Sequence, residues 1–185
     1  MAVSSEMAVS SEMAVGTKMQ GGLKMELELE LQQVVDDWRY LRENTLAFIN
    51  SLSDEEILKT LPRPGLDNFM KHFEEMCDVE QAYLDACISG TMTFECVKEN
   101  EEYIGSSSRK QIIARMNAQD LRIEQIVKDC INQRITWAED DIKTLCSQLR
   151  NLCIHETLHI GQMIAFSYVM GFVIPEEVVE GWSLS

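Results

Sequence analysis

The sequence predicts an all-α fold, a four-helix bundle running up-down-down-up. Three observations predict it: apolar residues recur at spacings of three and four from Glu26 onward, Gly and Pro fall between those periodic segments, and β-branched runs are few. One connection, Thr91 to Ser106, is long for a bundle. Extended chain covers about 3.3 Å per residue, enough to travel back along a helix of roughly 36 Å, so helices 2 and 3 are expected to share a direction. That crossover makes the order up-down-down-up.

The chain opens with MAVSSE twice and part of a third copy, followed by GTKMQGG. Such a stretch carries too few large apolar side chains to fold alone, so residues 1–24 are expected to be disordered and residues 25–185 to form the domain. Helix 1 is expected from about Glu28 to Leu52, with Val35, Trp38, Leu41, Thr45, Phe48 and Leu52 facing inward. The SDEE at Ser53 caps a short turn, and PRPG at 62–65 stops it by removing amide donors. Helix 2 should start after Asp67 or Asn68 and end at Gly90, with Phe69, His72, Met76, Val79, Tyr83 and Cys87 inward. Helix 3 is expected over about 107–134 and helix 4 over about 140–171, joined by ITWAEDD.

The formal charge of −15 leaves no basic face for phosphates, which excludes nucleic acid and an anionic membrane surface as expected partners. The longest apolar run, MIAFSYVMGFVI, is shorter than the ~18 residues of a membrane span. Six cysteines lack any C-x-x-C and no signal sequence precedes them, which points to reduced thiols in a cytoplasmic protein. Cys146 and Cys153, seven apart, read as small core residues.

The chemistry lies in HETLHIGQ at 155–162. His155 and His159, one helical turn apart, differ by about 40° around the axis and about 6 Å along it, so both imidazoles can reach one ion. His72, on the inward stripe of helix 2, supplies a third imidazole, and three neutral imidazoles suit Zn, Ni, Cu or Fe(II). Three protein ligands leave a coordination position for water or substrate. Glu156 points toward the apolar arc of helix 4 and is a candidate general base or metal-supporting carboxylate; the competing reading is a glutamate reaching solvent. Gln162, three residues after His159, shares the ligand face and is a candidate for holding water or a substrate carbonyl. Gly161 is read as permitting close approach of a helix or ligand, and Tyr83 as a packing residue.

H-E-x-x-H is also the zinc-peptidase pattern, but the metzincin form needs a later His that this chain lacks. A glutamate-ligand form would have to draw on Glu176, Glu177 or Glu180, beyond Pro175. A di-iron carboxylate site needs two Glu-x-x-His motifs, and only ETLH at 156–159 is present.

With its turn, Pro-containing loop and helix-2 His, the stretch LSDEEILKTLPRPGLDNFMKHFEEMCDVEQAYLDA, together with the closing HETLHIGQMIAFSYVMGFVIPEE, resembles the DinB/YfiT-like metal-binding four-helix bundles. The likeness covers about residues 28–178. It implies an up-down-down-up bundle with His72, His155 and His159 holding one divalent ion, Zn or Ni foremost with Fe or Mn as alternatives, and it implies homodimers. It further implies a metal-dependent enzyme that activates a low-molecular-weight thiol or water for attack on a small-molecule substrate, as a thiol transferase or hydrolase. The rival expectations are a non-catalytic metal-binding bundle and an H-E-x-x-H metallopeptidase.

Overall fold

The protein is represented by a computed structural model. It describes residues 4–184, with side chains from Met25 onward. Five α-helices and one two-stranded sheet are present among the described residues: α1 Ser4–Ser51, α2 Phe69–Ser89, α3 Arg109–Asp129, β1 Arg134–Ala138, β2 Asp141–Thr144, α4 Leu145–Met170 and α5 Glu176–Gly181. By internal contacts the chain divides into Met1–Gln33 and Val34–Ser185. The expected disorder of residues 1–24 lies outside the described residues as far as side chains are concerned, and the backbone from Ser4 on is helical.

Within Val34–Ser185 the predicted stripes form the core. Val35, Trp38, Leu41, Thr45 and Phe48 of α1 and Leu52 just after it are all buried, as are Phe69, His72, Met76, Val79, Tyr83 and Cys87 of α2. After α1, Ser53 and Glu56 cap each other's amides, with Ser53 N–H on Glu56 Oε2 at 2.8 Å and Glu56 N–H on Ser53 Oγ at 3.2 Å. Asn68 caps α2 by accepting from Lys71 N–H, and Gly90 ends it in the left-handed region at φ 80°.

Contacts between α2 and α3 advance in the same sense along both helices. Glu74 accepts from Ser107 N–H, Arg115 pairs with Asp78, and Arg122 with Asp85. Between α2 and α4 the sense is opposite: Gln148 donates to Tyr83 O, His155 meets Glu75, and His159 meets His72. Arg39 of α1 pairs with Glu124 near the end of α3, while Arg109 at its start donates to Leu52 O.

The expectation for residues 130–144 is corrected. Helix 3 does not reach Arg134 and helix 4 does not begin at Asp140; β1 and β2 pair antiparallel there, Ile135 with Lys143 and Thr136 with Ile142. The β-branched Ile135, Thr136, Ile142 and Thr144 favour extended backbone. Ile135 is fully buried. An irregularity between Thr136 and Ala138 sets Trp137 out of the ladder. Its indole N–H donates to Gln148 Oε1 at 2.7 Å and its ring packs edgewise on Tyr83. Thr136 also ties back to the end of α2 through Met92 N–H to Thr136 O and Thr136 N–H to Gly90 O, both 2.9 Å. No described helix is long and apolar enough to cross a membrane.

Candidate metal centre

The first two turns of α2 and the middle of α4 bring four ionisable side chains together. His72 Nδ1 lies 3.1 Å from His159 Nδ1, and His159 Nε2 lies 3.3 Å from His155 Nε2. Glu75, one turn after His72 on the same face of α2, completes the group. Its Oε1 is 3.4 Å from His155 Nε2 and its Oε2 is 2.9 Å from His159 Nε2. Glu75, His155 and His159 each offer a ligand atom within 4.8 Å of the others.

His72 reaches the group from the far side of the His159 ring, against Nδ1, while His159 Nε2 faces Glu75 and His155. The three predicted histidines are therefore adjacent, and Glu75 stands where sequence reasoning had no candidate. The signal was present in H-F-E-E at 72–75, since a residue three after a ligand shares its face.

A divalent cation suits these donors. Three neutral imidazoles carry one N–H each, too few to bridge every nitrogen and carboxylate contact and also satisfy the outer nitrogens. Among the buried side-chain atoms without a hydrogen bond are His72 Nε2, His155 Nδ1 and Glu75 Oε2, the last close to His159 Nε2 but off the line of an N–H bond. Burial works to raise the Glu75 carboxyl, yet the adjoining imidazoles of His155 and His159 outweigh it and hold it down to about 2. Burial, reinforced by His159 and Arg63, pushes His72 down to about 3. Glu75 is thus held as carboxylate and His72 as neutral imidazole, the forms that bind metal. His155 is the most open of the three grouped side chains, at 19% exposure against 4% for His159.

Glu156 is fully buried, which excludes the solvent-reaching alternative. Its Oε1 accepts from Thr45 Oγ1 at 2.5 Å and from Arg42 Nη1 at 3.3 Å. Arg42 also contacts Glu80 Oε2 at 2.8 Å and Asp120 Oδ1 at 3.1 Å, and stacks over Trp38. Burial opposes the Arg42 charge, but the three carboxylates outweigh it and hold its pKa well above the ordinary value. One guanidinium cannot neutralise all three, and burial raises Glu80 to about 8. Every partner found for Glu156 therefore lies in this Arg42 cluster.

Gln162 accepts from Arg63 Nη1 of the Pro-Arg-Pro loop. Gly161 is not a point of close approach within the chain, because a Cβ there meets nothing within 4 Å. Tyr83 packs against Trp137 and Phe94, as expected. All six cysteines are free. Burial pushes the Cys87 and Cys153 thiols up to about 12 and Cys77 well above its usual value, so these three supply no thiolate at neutral pH.

Comparison with known proteins finds no matching family model and no matching curated relative.

Proposed function

We propose that this chain is a divalent-metal enzyme of the DinB-like kind, an up-down-down-up four-helix bundle that activates a low-molecular-weight thiol or water toward a small-molecule substrate. The directions of contact among α1, α2, α3 and α4 support that topology. The observation that carries the function is the buried meeting of Glu75, His155 and His159 backed by His72, with polar atoms left unbonded and no protein cation paired to Glu75 among the described residues.

Glu75, His155 and His159 are the donors that would hold the ion, Zn or Ni foremost. When bound, such an ion supplies Lewis acidity and lowers the pKa of a thiol or water. His72 fixes the orientation of the His159 ring from Nδ1, a partner placement that sets which nitrogen is free to ligate. The thiol would be external, since the buried cysteines hold their protons. His155, on the open side, marks where substrate enters, and this favours catalysis over a sealed storage site.

Engagement of Glu156 by Thr45 and Arg42 weighs against the metallopeptidase reading, which needs that carboxylate free as a base. Homodimerisation and a cytoplasmic location belong to the same proposal. The test is metal analysis of the purified protein, followed by a panel of low-molecular-weight thiols with electrophilic acceptors, repeated on His72→Ala and His159→Ala. Stoichiometric metal and thiol-dependent turnover lost in His159→Ala are expected; a protein that takes up no divalent metal would end the proposal.

A further inference from the structure

Arg63 has no carboxylate partner among the described residues, in a chain where Asp and Glu number 31 against 16 Lys and Arg. Of the cations nearest it in sequence, Lys71 pairs with Asp67 and Lys59 lies over the Phe172 ring. Arg134 and Arg150 share this lack among the described residues, so what sets Arg63 apart is its place, with its guanidinium on Gln162 beside the histidine cluster.

The loop holds Arg63 in place. Pro62 and Pro64 fix the backbone on either side, Arg63 N–H donates to Leu61 O at 2.8 Å, and Leu61 N–H donates to Asp67 O at 2.7 Å. Gly65 closes the turn at φ 78°, where a Cβ would lie 2.8 Å from Asn100 Cβ. The side chain is steadied in turn by Gln162, which lies one turn beyond His159 on the ligand face of α4. Its charge is felt at His72. A guanidinium has five N–H donors, and Gln162 Oε1 occupies part of one edge, so donors remain for a planar oxyanion.

From this geometry we infer that Arg63, positioned by Gln162, is the substrate-anchoring residue of the metal centre, and that the substrate carries a carboxylate. The inference rests on the metal-centre reading for its location and adds the substrate class. A planar monoanion fits better than a phosphate dianion, because one guanidinium carries a single charge and a flat edge of donors, while Lys59 lies over the Phe172 ring and Lys71 is bound to Asp67. Arg63 anchors and orients; it takes no part in bond making.

The test uses the full chain, with and without added zinc, and acetate, butyrate and inorganic phosphate as probes, followed by calorimetry or NMR shift titration. Wild-type protein is expected to bind the monocarboxylates saturably and more tightly than phosphate. Arg63→Gln should weaken carboxylate binding by about tenfold or more, as expected for losing a charge-assisted pair, with zinc affinity and Tm unchanged. Arg63→Lys should retain part of the binding. Equal carboxylate affinity in wild type and Arg63→Gln, or a preference for phosphate, overturns the inference. Zinc titration separates the two readings: a chain that binds carboxylate through Arg63 but takes no zinc keeps the anchor and loses the metal centre, whereas one that binds zinc but shows no Arg63-dependent carboxylate affinity does the reverse.

Discussion

Two clusters of ionisable side chains lie on the same pair of helices, and they differ in one respect. Toward one side, Glu80 of α2 and Glu156 of α4 converge on Arg42, a cation supplied by the chain itself. Toward the other, Glu75 of α2 meets His155 and His159 of α4, and no Lys or Arg of the described residues pairs with it. Burying carboxylates without a cation is costly. The Arg42 cluster carries its countercharge permanently, while the histidine cluster, on the proposed metal-centre reading, leaves that role to an ion from outside. Adjacent residues, His155 and Glu156, thus serve opposite kinds of site.

The largest effect comes from breaking the closed cluster. Arg42→Met leaves Glu80, Glu156 and Asp120 facing one another without a cation, and should cost about 3–5 kcal/mol in denaturant unfolding. A loss below about 1 kcal/mol would mean that water reaches these groups freely.

Next is the open cluster. Zinc at a hundredfold excess over its Kd should stabilise the wild-type protein by about 2.7 kcal/mol, and this increment should vanish in His159→Ala. Glu75→Gln should weaken zinc binding by at least the roughly 10–100-fold typical of losing a supporting partner, measured by competition with a chelator. If Glu75→Gln binds zinc like the wild type, Glu75 is not a ligand.

The third prediction concerns pH. Glu80 is raised from 4.5 to about 8 in the folded chain, so between those values the unfolded chain loses the proton that the folded chain keeps. Stability from this group is complete below about pH 4.5 and declines as pH rises through about 8. Glu80→Gln should flatten that part of the stability–pH curve; an unchanged slope would place the proton elsewhere in the cluster.

The smallest effect is on α4 itself. Gly161→Ala adds a methyl group that meets nothing, and should stabilise the chain by about 0.4–1 kcal/mol in thermal unfolding. If zinc or carboxylate binding falls while stability rises, the bare surface at Gly161 belongs to the open site.

Helix identity and the pairing of His155 with His159 were legible because both follow from a period of about 3.6 residues. His72 was legible because it interrupts an apolar stripe that is otherwise unbroken. Glu75 was not, since an acidic residue beside Glu74 in an acidic helix looks like solvated charge. Yet Glu74 accepts the amides of Gly105 and Ser107 while Glu75 meets the histidines. The hairpin at 134–144 escaped notice because its strands have five and four residues and adjoin long helices, where short extended segments give too weak a period to separate from a helix end. The destination of the Glu156 carboxylate depended on Arg42, 114 positions away, a contact that only tertiary packing creates.

The hairpin and the connection at 91–106 differ in how they would tolerate insertions and deletions. The 91–106 segment is fastened at both ends, by Met92 to Thr136 and by Gly105 to Glu74, so added residues can bulge outward without disturbing the helices. The hairpin leads straight into α4, with Thr144 both ending β2 and capping the helix. One residue inserted there would turn the start of α4 by about 100° relative to its anchor, carrying His155 and His159 off the face they share with Glu75. Length variation among descendants of this sequence should therefore accumulate in the first segment and be purged from the second.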